Sequence, residues 1–587
     1  MKQVLRLLVV VCCCLAVAWI SGATGRFLVV LSAALFGPGY LLERWMPANQ
    51  SLPIFVRPVL WLGLSLSLIV LLYQWTTLMG LRLSSTVLTG LLLLLLLALV
   101  IAVWFDLRQQ PRTRNALDHR RLWAWSGLLG IITLTLWTRF VQIAHLILPP
   151  WVDPVHHALL IRVAAETGQV PYSLLPYLQV TNLAYHWGYH VFAATLWQLS
   201  ALSLPQLMLW LGQILNALHT LTCAALASYL WRRPLPGIIA ALVVGLISFM
   251  PAYYVSWGRY TQLTGLLLIP PLAIACHQWL QSGSWRWLLS TAVLCAGLSM
   301  VHFRVLFFGL ALLFLIVVLW LLSTPLAAWR SRLIQAVALG ALGLGLAFPW
   351  ITVIVLERLV AMSDPKGLVG GGRFNALNEG LLWVQQNYWL VALALLAAFC
   401  GLWVRSRATV LVVGWTTALV VMANLWLAWY LLPMAGAACL LWGVLQNHWS
   451  LVRVGAIGAG VLLLLLNPWV MLNPMGWNIP YIWLITNEIV VISLFLPFSL
   501  LIGSGAWLLW CWLQARWPQR WQPLLLAGAI TVPVLLALWG SWNLRTVVNQ
   551  STILATPADM AAIDWVAQHT AADARFLHQR NTLVCRG

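Results

Sequence analysis

The stretch Pro149-Pro150-Trp151-Val152-Asp153-Pro154-Val155-His156-His157 holds a carboxylate between prolines, with two imidazoles just behind it. Prolines end a preceding helix and keep the backbone extended, so Asp153 stands clear of that helix. A carboxylate presented this way can take a proton from an incoming hydroxyl. The same Asp-Pro pair is also a helix start signal, with Asp153 as the cap of a helix from His156 to Glu166. Four of the chain's 12 histidines, His156, His157, His186 and His190, fall within this region. In His186-Trp187-Gly188-Tyr189-His190 two imidazoles stand at i and i+4, a spacing that shares one helix face. With Asp153 they make a possible divalent-metal set, although plain hydrogen bonding is the other use of such rings. No Glu or Cys at a recognised spacing completes it, so the spacing specifies no cofactor and leaves a divalent metal open.

Cationic groups recur further along. Ser256-Trp257-Gly258-Arg259-Tyr260 and Val301-His302-Phe303-Arg304 each place an arginine in a short turn between apolar runs. A guanidinium matches phosphate in bidentate geometry; snorkelling to lipid headgroups is the alternative. A third group is Ser363-Asp364-Pro365-Lys366-Gly367 followed by Gly370-Gly371-Gly372-Arg373. Lys366 and Arg373 beside a glycine run could close over an anion, and a plain flexible connector reads equally well.

The elements that must position these groups are membrane helices. The 587 residues are 62% hydrophobic and 7% charged, against about 25% charged in a soluble domain. Runs long enough to span a bilayer, about 20 residues each, recur along the chain. The expected fold is an all-α polytopic membrane protein with about 17 transmembrane helices, within limits of 15–19. The net charge of +20 does not indicate nucleic acid. Lys2 and Lys366 are the only lysines, and the arginines cluster between apolar runs as orientation signals do. The cluster Arg108, Arg112, Arg114, Arg120 and Arg121 places its loop inside the cell. The N-terminus is then cytoplasmic, the C-terminus external, and the chain a multi-pass protein of the inner or plasma membrane.

This threading divides the chain into N-terminal helices 1–143, a first external loop 144–204, and a helical core 205–541 with external loops 354–385 and 473–487. A short helix near 187–203, carrying Trp187, Tyr189, His190 and Trp197, is expected to lie in the membrane interface. The tail 542–587 is polar, with a helix over Thr556–Ala574 and a strand starting at Arg575. It reads as a truncated soluble domain, or as one completed by another chain. The ten cysteines lie largely in apolar runs and form no CxxC pair, so neither a disulfide framework nor a structural zinc is expected.

There are 12 acidic residues. Asp106 and Asp118 sit in the arginine-rich loop, Glu43 sits beside Arg44, and three aspartates belong to the tail. Asp153, Glu166, Glu357, Asp364, Glu379 and Glu488 remain, all expected at the external side, where a charge must be paired, solvated or functional.

The segment from Asp153 to Gln262 resembles the GT-C superfamily of membrane glycosyltransferases. The resemblance rests on Asp153-Pro154-Val155-His156-His157, Thr167-Gly168-Gln169-Val170-Pro171, Tyr185-His186-Trp187-Gly188-Tyr189-His190 and Trp257-Gly258-Arg259-Tyr260. About 110 residues carry it; the rest of the chain is similar in hydropathy alone. The resemblance implies a polyprenyl-phosphate-linked sugar donor and a glycan, lipid or protein acceptor in the cell envelope. Asp153 would be the general base, while Arg259 with Tyr260, and Arg304, would hold the donor phosphate. The loop 354–385, with Lys366 and Arg373, would order over substrate. His156, His157, His186, His190 and Glu166 would then orient Asp153 or contact the acceptor. Two features depart from the family: Asp153 is followed by Pro154 where many members have a second acid, and its loop comes after about five spans rather than one. No GxGxxG or P-loop pattern is present, which disfavours nucleotide sugars and ATP coupling. A solute or lipid transporter, or a non-catalytic assembly partner with a degenerate site, are the competing readings.

Overall fold

The computed structural model describes residues 20–46, 52–109, 119–363, 380, 387–424, 428–445, 451–472, 485–571 and 574. Among them there is helix and no strand. Among the described residues ten helices are long and apolar enough to cross a bilayer, or eleven if one bent pair counts as a single span. Shorter apolar helices, such as Trp285–Val301, Tyr388–Trp403 and Arg407–Ala423, coincide with other apolar runs of the sequence but fall short of that length. The first of the apolar runs read from sequence as spans, 4–22, lies almost wholly outside the described residues.

The chain runs α1 (Ala23–Glu43), α2 (Val56–Leu78), α3 (Ser85–Gln109), α4 (His119–Ile143), α5 (Asp153–Thr167), α6 (Gly188–Ser200) and α7 (Leu204–Trp231). Then come α8 (Pro234–Leu242), α9 (Phe249–Ala252), α10 (Tyr260–Ser282), α11 (Trp285–Val301), α12 (Phe303–Ser323) and α13 (Leu326–Ser363). The remainder is α14 (Tyr388–Trp403), α15 (Arg407–Ala423), α16 (Ala428–Leu445), α17 (Leu451–Leu472), α18 (Asn487–Ser493), α19 (Phe495–Arg516), α20 (Gln522–Leu544) and α21 (Pro557–His569).

Burial separates centre from rim. Helices α7 and α10 are enclosed almost completely, while α3, α13 and α20 turn most of their apolar side chains outward. Apolar side chains facing out, such as Leu93, Leu94, Leu524 and Leu535, are what lipid requires; between helices small residues then allow close approach. Gly63 sits against Pro271, and Gly297 against Ser67, so α2 packs directly onto α10 and α11.

Three expectations need correction. The helix expected in the membrane interface is α6, and 11 of its 13 residues are buried. It packs against α2, α5, α7, α10 and α11. A helix enclosed on every side has no face to give to lipid headgroups. The segment 354–385, expected as a loop, is helical over its first ten residues, because α13 continues to Ser363. The apolar run 236–253, one of those read from sequence as a continuous span, is broken. Helix α8 runs into a π-helical turn, Val243–Ile247, Ser248 is extended, and the next helical piece leaves at 64°. Helix α21 matches the expected tail helix, opened by a capping box between Thr556 and Asp559; the expected strand at Arg575 lies outside the described residues.

Candidate active site

The break after α8 delivers the arginine turn. Past Ser248 the chain makes a 3-10 turn, Tyr253–Ser256, then reverses at Gly258 with φ +61° and enters α10 with Arg259 at its cap. A side chain at position 258 would run into the Pro154 ring. Only glycine combines that φ with that contact. The Asp153-Pro154 and Gly258-Arg259 pairs, about a hundred residues apart in the chain, therefore meet at one spot.

The segment after α20 fastens this junction. The Trp151 N–H donates to the Thr552 carbonyl (2.7 Å), and the Asn549 N–H to Ser256 Oγ (3.0 Å).

Asp153 opens α5, half-buried in its first turn. The cap position falls to Val152, and no side-chain cap bond is made there. The Asp153 carboxylate is thus not consumed by capping, which leaves it available for other chemistry. Burial lifts its carboxyl above the usual range; the positive charges of Arg259 and His156 pull it down, and Glu488 pushes it up.

Arg259 pairs with Glu488, Nη2 to Oε1. Its Nε has no hydrogen-bond partner among the described residues. Glu488 lies in the first turn of α18, which is capped by Thr486 and anchored where Asn487 and Asn424 exchange side-chain bonds of 2.6 and 2.8 Å. The result is an acid–base–acid row: Asp153, Arg259, Glu488.

The histidines form the floor. His157 Nδ1 and His190 Nε2 are 2.8 Å apart and buried. Beside them Tyr189 and Tyr260 stack at 5.4 Å. His186 bonds Thr261 Oγ1 through Nε2 (3.2 Å), stacks under Tyr185 (4.0 Å) and lies 4.4 Å from the His302 ring. Burial drives the proton affinity of all three rings down, to about 3 for His157 and well below the ordinary value for His186 and His190. They are neutral rings in a polar, water-poor floor.

Tyr185 joins floor to row. Burial first, then the Asp153 charge, pushes its phenol up to about 12, against a bond to Thr261 and the charges of Arg304 and Arg259. Its carbonyl accepts from Trp350 Nε1 (3.1 Å), which ties the site to α13.

Not every expected residue gathers here. Glu166 lies at the far end of α5, about 20 Å from Asp153 at 1.5 Å per residue. There it binds Tyr177 Oη (2.9 Å) and Arg162 (3.9 Å). His186 precedes α6, whose first residue is Gly188, so His186 and His190 do not share a helix face. His190 pairs with His157 instead. Among the described residues no group of three His, Cys, Asp or Glu side chains could hold a metal, so the Asp153–His186–His190 set is not assembled. His156 is exposed, next to the row. Arg304 lies in the first turn of α12, near enough to act on Tyr185 and His186. Lys366 and Arg373 lie outside the described residues.

Glu488 and Tyr185 have no role assignable from sequence. Glu488 carried one signal, a lone acid just before a long apolar run, but nothing in the chain names Arg259 as its partner.

Fold and site together define a multi-pass helical membrane protein with a charged row over a histidine floor at one end of its bundle. The chain belongs to a family of unknown function (DUF6541), whose model matches residues 32–437. That match includes Asp153 and Arg259; Glu488 falls beyond it. No curated protein matches the chain.

Proposed function

We propose that this protein transfers a sugar from a polyprenyl-phosphate donor to an acceptor hydroxyl at the extracytoplasmic face of the plasma or inner membrane, as a glycosyltransferase of GT-C type. One observation carries the reading: Pro154 is seated on Gly258, so the Asp153 carboxylate and the Arg259 guanidinium share a site at the end of the bundle. Asp153 takes the proton of the acceptor hydroxyl as its oxygen bonds to the sugar's anomeric carbon. The bond from that carbon to the phosphate oxygen breaks, and the leaving lipid phosphate carries the electron pair away. Arg259 stabilises that growing negative charge. Half-burial raises the proton affinity of Asp153, which strengthens it as a base. Glu488 holds Arg259 by one nitrogen, Nη2, and so fixes the guanidinium beside Asp153. About 17 spans, a cytoplasmic N-terminus, and a covering loop with Lys366 and Arg373 belong to the same reading.

The test is transfer from radiolabelled polyprenyl-phosphate sugars by the purified protein in lipid. Asp153→Asn should lower the rate by about 10²–10⁴, the usual worth of a general base. Full activity in that variant removes Asp153 from the mechanism, and no transfer from any such donor removes the reading.

A transporter is the second reading, and one feature favours it: the span broken at Ser248 with a 64° bend, as in carriers with interrupted helices. Donor-independent movement of lipid or solute across vesicles would select it.

A further inference from the structure

At the opposite end of the bundle from Asp153 lies a cavity of about 240 Å³, lined by α7, α10, α12, α15 and α19. His277 and Gln281 line it from the last turns of α10, whose cap is Arg259. From Arg259 to His277 is about 27 Å along that helix at 1.5 Å per residue. The cavity is therefore separate from the site described above.

Its chemistry is two-sided. Arg232 and Arg407 border it, both exposed, and neither meets a carboxylate among the described residues. Arg232 ends α7 in the left-handed region, φ +56° and ψ 29°. Glycine is the usual residue there, and a side chain costs about 1 kcal/mol or more. The chain accepts that cost and turns an arginine at the rim. Arg407 opens α15, so the positive end of a 17-residue helix adds to the field.

A neutral donor completes the polar side. Gln278 Nε2 donates to the Tyr229 hydroxyl (2.8 Å), and that hydroxyl and His277 Nδ1 share a hydrogen bond of 2.6 Å. In the tautomer where Nδ1 accepts from Tyr229, His277 carries its own proton on Nε2 and can donate. The inner wall is apolar, with Leu312, Ile316 and Leu411. The volume is below the roughly 300–1,000 Å³ of a drug-sized site. It suits a headgroup and the start of a chain, not a whole lipid.

We propose that this cavity binds a phosphate group at the membrane face remote from Asp153, held between Arg232 and Arg407, with any attached chain along the leucine-lined wall. Two sources share that chemistry, a phosphate-headed lipid and free phosphate.

The experiment uses full-length protein in zwitterionic micelles, titrated with dioctanoyl phosphatidic acid in one arm and inorganic phosphate in the other, and followed by thermal unfolding. Saturable stabilisation is expected, with affinity reduced about tenfold in Arg232→Gln and again in Arg407→Gln, since each removes one charge-assisted contact. Arg233→Gln, on a neighbouring exposed residue that does not line the cavity, should bind as wild type does. Tenfold or tighter preference for phosphatidic acid assigns a lipid source; equal affinity assigns free phosphate. No saturable binding in either arm overturns the proposal, as does equal weakening by Arg233→Gln. Unchanged far-UV circular dichroism confirms that each variant is folded. Because Asp153 and Arg259 play no part, sugar transfer can fail while this site stands, and the reverse.

Discussion

Acid should destabilise this protein through three histidines. His157, His186 and His190 are buried and held neutral, with His157 at about 3. An unfolded histidine takes a proton near pH 6.5. A folded-state value below the unfolded one gives stability that is complete above pH 6.5 and drains as pH falls toward 3. At pH 5.5 each unfolded ring gains about 1.4 kcal/mol by protonating, so three rings cost about 4 kcal/mol, roughly a thousandfold in the unfolding equilibrium. The folded cluster cannot share that gain. Around His157 lie His156, Tyr189, His190 and Tyr260, and around His186 lie His302 and Arg304. A new cation there finds positive or neutral neighbours and is closed off from solvent. The assay is equilibrium unfolding in mixed micelles, followed by circular dichroism at pH 7.5 and 5.5. The His157→Asn/His190→Asn double variant removes two of these rings and should lose about 2.8 kcal/mol less than wild type between pH 7.5 and 5.5. Equal pH slopes in wild type and double variant would refute the reasoning. So would a nuclear magnetic resonance titration placing any of these rings near 6.5 in the folded protein.

Two further outcomes follow from the packing. Gly258→Val sets a branched side chain against Pro154 in a left-handed conformation. It should cost about 2–4 kcal/mol and speed hydrogen exchange over Tyr253–Tyr260; wild-type stability and exchange would show that the two motifs do not meet as described. Arg139, fully buried in α4, donates through Nε to Asn216 Oδ1 and through Nη2 to the Gly245 carbonyl in the π-helical turn, 2.8 Å each. Arg139→Ala strands both acceptors at about 1–3 kcal/mol apiece, and unfolding measurements that find no loss would exclude it as the strut of the broken span.

Much of the site was readable in pieces. Asp153, Arg259 and the histidines stood out because polar groups are rare between apolar runs, where each carries a desolvation cost. Their partners were not readable. The i and i+4 spacing of His186 and His190 suggested a shared face, but Gly188 starts the helix and leaves His186 in the preceding loop. Glu166 looked like a neighbour of Asp153 from its closeness in sequence, yet a 15-residue helix holds the two at opposite ends. The aromatic content of 187–203 suggested an interface, but α6 is enclosed by helices whose own sequences carry no mark of that contact.

The helices themselves follow from composition, because hydrocarbon offers no hydrogen bonds and an apolar run must satisfy its backbone internally. Local signals then settled where many of them begin and end. Which helices meet was decided only by packing in three dimensions. Apolar side chains attract one another with little direction, so close fit between small residues and neighbouring rings chooses the neighbours. That choice brought Glu488 to Arg259 and Pro154 to Gly258.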